Sequence, residues 1–99
     1  MPTVESNLIN EKIKSRFYQA FVKLLELGEI KGRQTYCNLY GIDKRNFYAQ
    51  EKDMSLHRMQ LYWLVPMVKE YNVSADWLLT GRGSMFSAER KPMSIYPRG

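Results

Sequence analysis

An all-α chain of five helices with no sheet is what this sequence predicts, and three observations carry that expectation. Apolar residues Ile13, Phe17, Phe21 and Leu24 recur at helical spacing, with Ala20 and Leu25 widening the stripe. Two short stretches, residues 33–40 and 44–52, flank Gly41 and Asp43, residue types that end one helix and cap the next. Ser74, with Asp76 behind it, opens a last short segment around Trp77, Leu78 and Leu79.

Taken in order, the first helix is expected over residues 10–27, capped by Asn7 or Asn10, with Glu11 in its first turn and Gly28 closing it. The second spans 33–40, with Gly32 a tolerable cap and Gly41 just past its end. The third spans 44–52 behind the cap Asp43. Residues 53–62 are expected as an irregular arm, because Met59, Leu61 and Trp63 alternate and Pro66 is accepted only in a first turn. The fourth helix therefore starts near Trp63 and ends near Tyr71. A long helix from Ser55 kinked at Pro66 is the rival, and an interior proline would cost it ~3 kcal/mol. After the fifth helix, Thr80–Ser84 is a turn, Met85 and Phe86 fold back onto the core, and the polar stretch from Ser87 reads as a basic tail. The expected core is Phe17, Phe21, Leu24, Tyr36, Leu39, Ile42, Phe47, Val68, Trp77 and Leu78. The organisation is thus one domain, 1–86, with the motif at 33–52 and a tail at 87–99.

At 99 residues the chain is long enough for one core without metals or disulfides. Its 44% hydrophobic and 25% charged residues are those of a globular protein. The longest apolar run, Leu61–Val68, is too short to span a bilayer, and the N-terminus lacks the basic-then-apolar order of a signal peptide. A cytoplasmic location follows, consistent with the single cysteine. The net charge is +5, and its placement is uneven: residues 31–58 carry six Lys/Arg against three Asp/Glu, and residues 82–99 carry four against one. The positive excess therefore lies in the motif and the C-terminal end, as a nucleic-acid footprint would have it.

Within residues 32–53 a small residue, Cys37, stands four positions before the turn glycine Gly41, and apolar residues flank the turn at Tyr36, Tyr40, Ile42 and Phe47. Two helices crossing at roughly 90–120° need a small residue where they touch and a glycine where the backbone reverses. That is the arithmetic of a DNA-binding helix-turn-helix. The polar face of the second helix of the pair would carry Lys44, Arg45, Tyr48 and Lys52.

These residues, together with Glu51-Lys52 and the ending Val73-Ser-Ala-Asp-Trp-Leu-Leu-Thr-Gly-Arg-Gly-Ser-Met85, resemble the phage-repressor-type (Cro/Xre-like) helix-turn-helix family over roughly residues 9–86. The resemblance implies a compact five-helix repressor-like DNA-binding domain and a transcriptional regulator, a repressor of phage or mobile-element type. The chain departs from the family pattern at three places: Gln50 replaces a large apolar residue, Arg33 replaces a common glutamine, and the 53–62 arm is longer than usual.

A recognition helix places its N-terminal residues at the base edges of the major groove. Arg45 is the first candidate for base readout, since its planar fork can donate twice to guanine. Lys44 and Tyr48 share its face. Arg33, Gln34 and Thr35, at the start of the second helix, are candidates for phosphate and sugar, and Lys52 and Arg58 add to the salt-dependent attraction. The partners expected are double-stranded DNA and a second copy of the chain, with Met54, Met59, Leu61 and Tyr62, or Met85, Phe86 and Met93, as the interface. No cofactor, metal site, membrane contact or small-molecule substrate is indicated: His57 has no ligand-spaced companions, Gly81-Arg-Gly83 lacks the surroundings of a phosphate loop, and no nucleophile–base pair marks an enzyme. Cys37 reads as a core filler. The alternative from another class is a helical protein-interaction module, antitoxin-like or adaptor, that does not bind DNA.

Overall fold

A single long helix, α1 (Val4–Glu26), is the axis against which the other elements pack. The computed structural model describes residues 3–87. Among them the chain forms α2 (Arg33–Tyr40), α3 (Lys44–Lys52), a 3-10 turn (Leu61–Trp63), α4 (Val65–Lys69) and α5 (Ala75–Thr80), with no strand beyond one antiparallel bridge between Val73 and Phe86. The fold is all-α. None of these helices is long and apolar enough to cross a membrane. The tail expected beyond Ser87 lies outside the described residues.

Helix α1 starts six residues earlier than its apolar spacing predicted. Thr3, not Asn7 or Asn10, is the cap: its Oγ1 accepts the Ser6 N–H at 3.0 Å. Residues 4–10 are all exposed, so they carry no buried stripe for periodicity to detect. From Lys14 onward the helix turns Phe17, Phe21 and Leu24 inward, as their spacing requires.

The bounds of α2 and α3 match the sequence reading because their signals are local. Gly41 adopts φ +66°, the left-handed conformation a side chain would resist, and there the Ile42 N–H turns back to the Cys37 carbonyl at 2.9 Å. Asp43 then caps α3, its Oδ1 accepting the Asn46 N–H at 3.0 Å. The arm is irregular, as expected, and Pro66 sits in the first turn of α4. Helix α4 ends at Lys69, two residues short of the predicted Tyr71. Ser74 caps α5 by accepting the Trp77 N–H, and Met85 folds back to accept the Ser74 N–H at 2.8 Å. Arg16 of α1 holds the far end of α5, donating from Nε to the Leu78 carbonyl at 2.8 Å and from Nη2 to the Leu79 carbonyl at 3.1 Å. A cation there satisfies orphan carbonyls and the helix dipole together. Gly81 follows at φ +81°, a left-handed conformation that side chains rarely adopt, so the backbone favours glycine there.

The core is an aromatic cluster. The Phe47 ring of α3 lies 6.1 Å from Phe17, 5.2 Å from Tyr18, 5.2 Å from Phe21 and 5.7 Å from Trp63, mostly edge-on. Burial pushes the Tyr18 and Tyr36 hydroxyls far above their ordinary range, so both remain donors: Tyr18 to the Phe47 carbonyl at 2.7 Å, Tyr36 to the Trp63 carbonyl at 2.9 Å. Two expected core residues are at the surface, and a third only packs against the edge of the core. Leu39 is 64% exposed, because Tyr36, Cys37 and Tyr40 define the inner face of α2 and Leu39 projects away from it. Val68 lies at the surface, since Pro66 and Met67 take the inner side of the short α4. Trp77 is only half-buried, because Leu78 occupies the inward position of α5. Trp63 and Met67, both missed, fill the centre instead.

Trp63→Ala is therefore expected to cost ~3–5 kcal/mol of stability, whereas Leu39→Ala should change it by no more than about 0.5 kcal/mol. Urea denaturation of the two variants checks the contrast, and equal losses would contradict this core.

Candidate nucleic-acid interface

Helix α3 has two fully buried side chains, Phe47 and Gln50. They define its inner face and so turn the opposite face to solvent. On that face Arg45, Tyr48, Ala49 and Lys52 recur at i, i+3, i+4 and i+7. Arg45, Tyr48 and Lys52 are exposed, and Lys44 is exposed beside them in the first turn. No described residue pairs with Lys44, Arg45 or Lys52. The Tyr48 ring lies edge-on to its neighbour Phe47, centres 6.2 Å apart, and the residue is exposed. Ala49, which sequence reasoning passed over, is the small residue at the edge of this face.

One flank of α3 is held by α2. The Arg33 fork donates from Nε to Glu51 Oε1 and from Nη2 to Glu51 Oε2, each at 2.8 Å. The guanidinium also lies 5.8 Å from the centre of the Phe21 ring. The Glu51 hydrogen bonds hold Arg33 above its already high basicity, so it stays charged. Arg33 is thus a clasp between α2 and α3, with most of its fork already engaged. Gln34 and Thr35 beside it are exposed, and no side chain caps the start of α2.

The other flank is held by the arm. Gln50 is 0% exposed, yet all of its amide capacity is used. Its Nε2 donates to the Asp53 and Leu56 carbonyls at 3.0 and 2.9 Å, and its Oε1 accepts the Arg58 and Met59 N–H groups at 2.9 and 2.8 Å. Gln50 is therefore an anchor between α3 and the arm. Met54 packs half-buried against the core beside it. From α1, Lys14 donates to the Leu56 carbonyl at 2.6 Å and the Met54 carbonyl at 3.4 Å; burial lowers its basicity, partly countered by Glu11. The Asp53 carboxylate accepts the Ser55 hydroxyl and N–H at 2.6 and 3.0 Å, which holds its pKa below the usual carboxylate range. The arm returns Arg58 to the first turn of α3, where its Nη1 donates to Asn46 Oδ1 at 3.1 Å. Farther on, Tyr62 donates to the Gly41 carbonyl at 2.9 Å and ties the arm to the α2–α3 turn.

Of the sequence-predicted residues, Lys44, Arg45, Tyr48 and Lys52 thus share one end or face of α3, Arg58 joins at its first turn, and Gln34 and Thr35 stand at the start of α2. Asn46, Ala49, Gln50 and Lys14 were missed as contributors. A signal existed for two of them: Gln50 follows Phe47 by three residues on the inner face, and Lys14 interrupts the apolar stripe of α1. Burial pushes the Cys37 thiol up, which suits the core filler it was read as.

A separate feature lies on other elements. Leu61, Leu64, Val65, Val68, Leu78 and Leu79 line an apolar groove of about 360 Å³ between the 3-10 turn, α4 and α5. Leu61 is the most open of them, at 83% exposure. The chain matches no known family model, no curated protein and no solved structure.

Proposed function

We propose that this protein is a sequence-specific DNA-binding regulator, a repressor of phage or mobile-element type, and that α2 and α3 act as a helix-turn-helix with α3 in the major groove. The observation that carries the reading is the outward face of α3: three cations with no ion-pair partner among the described residues, and a tyrosine, on a helix held from both flanks. In this reading Arg45 donates its fork to guanine O6 and N7, and the Ala49 methyl and Tyr48 ring meet a thymine methyl. Lys44, Lys52 and Arg58 attract phosphates. Gln34 and Thr35, at the uncapped start of α2, donate to the sugar-phosphate backbone. Arg33 contributes through Glu51, by setting the angle between the two helices.

The working form in this proposal is a homodimer, because one domain reads too few base pairs to find a site in a genome. The expected interface changes with the fold. Met54, Met59, Met85 and Phe86 pack partly against the core, Tyr62 is tied to Gly41, and Met93 lies outside the described residues. Leu61, already among the expected interface residues, and its neighbours in the groove are the surface we propose for a second copy. The groove belongs to elements other than α2 and α3, so pairing through it leaves both α3 faces free.

Selection of duplexes from a random-sequence pool should enrich one motif with two half-sites about 34–36 Å apart. Light scattering on that duplex should give two chains per DNA; one chain per two-half-site duplex would refute the dimer. On the same duplex, Arg45→Ala should cost about 1–3 kcal/mol and relax preference at one base, while Lys52→Ala should weaken all sequences alike. An unchanged ratio of specific to non-specific affinity in Arg45→Ala would remove Arg45 from the groove.

A further inference from the structure

We infer that Gln50 is a positioning residue for DNA binding: its buried amide builds residues 53–59 into a second contact edge beside α3 and thereby places Arg58. The inference rests on the DNA-binding reading above and adds to it a residue that never touches the ligand.

The argument begins with what an irregular segment needs. Residues 53–60 belong to no helix or strand, so their N–H and C=O groups must find partners elsewhere or face water. Gln50 supplies partners for four of them, two carbonyls and two N–H groups. Lys14 supplies a second bond to Leu56 from α1. The segment is therefore fastened to two helices through its backbone, whatever side chains it carries.

Stability alone does not call for an amide at this site. An apolar side chain beside Phe47 would fill the space without the cost of burying two donors and two acceptors. What leucine cannot do is fix the path of the arm. One of the two N–H groups that Gln50 Oε1 accepts belongs to Arg58 itself. From that fixed backbone the Arg58 side chain reaches Asn46 with one guanidinium nitrogen and remains exposed. Asn46 follows Lys44 and Arg45 directly, so three cations from two separate stretches of chain gather at the first turn of α3. A guanidinium already held in place loses less freedom when it meets a phosphate than one on a loose loop. Gln50 thus acts on binding through Arg58, and Asn46 completes the link.

The test is a double-mutant cycle on the slope of log affinity against log salt, using the duplex enriched by the unmutated protein. Arg58→Ala and Gln50→Leu should each flatten the slope by about one unit, the loss of one phosphate contact. The double variant should lose no more than either single one. Circular dichroism checks that each variant is folded. Should Gln50→Leu fail to fold, Lys14→Met loosens the same segment from the α1 side and should flatten the slope only while Arg58 is present. A slope unmoved by the position 50 or position 14 change, or losses that add in the double variant, would overturn the inference while leaving DNA binding intact. No binding of any duplex by the unmutated protein would overturn the DNA reading, and this inference with it.

Discussion

The seat of the Phe47 ring among Phe17, Tyr18, Phe21 and Trp63 is the constraint on which the rest of the molecule turns. Helix α3 is nine residues long, too short to hold itself together in water. Its stability must come from one packed face, and Phe47 is the only large apolar side chain there. The four rings around it come from α1 and from the 3-10 turn after the arm, and Tyr36 of α2 joins them 6.2 Å from Phe47. The chain must therefore return from α3 to the core through residues 53–62 to bring Trp63 into the socket. Burial of a ring of this size is worth about 1.5–3 kcal/mol before packing gains, more than a typical neutral hydrogen bond contributes.

The polar contacts set direction more than stability. A ring in a socket leaves a helix free to rock about it. Arg33–Glu51 limits that motion from the α2 side, and Gln50 with Asn46–Arg58 limits it from the arm side. Pairs as open to water as Arg33–Glu51, with side chains 34% and 22% exposed, are worth up to about 1 kcal/mol. The buried Gln50 amide differs, because breaking one of its bonds would strand a group away from water at a cost of about 1–3 kcal/mol. Directional contacts of these two kinds on opposite flanks keep one face of α3 turned outward, and the proposed groove contact depends on that orientation.

How much of this was legible depends on how far each signal lies from its cause. Gly41 and Asp43 act on bonds within five residues, and the bounds of α2 and α3 were readable from them. The start of α1 was not, because its cap at Thr3 precedes seven exposed residues with no inner face. The choice between Leu39 and Trp63 for the core could not be made locally: both are large and apolar, and only the crossing of α2 with α1 and the course of the arm decide which faces inward. Arg33 could be placed at the start of α2 but not paired, since Glu51 lies eighteen residues on. Gln50 was visible as a departure from an apolar pattern, but its partners are backbone groups, which have no identity in a sequence. For the candidate interface, the outward cations of α3 were readable from spacing, whereas the means of holding them was not.

The central claim, that the outward face of α3 is where this protein meets DNA, is tested most directly by backbone amide chemical-shift mapping of the labelled protein against a short double-stranded DNA at low salt. The account predicts that shifts concentrate on residues 44–52, on Arg58 and at the start of α2. Shifts confined to α4 and α5, or none at any DNA concentration, would contradict it.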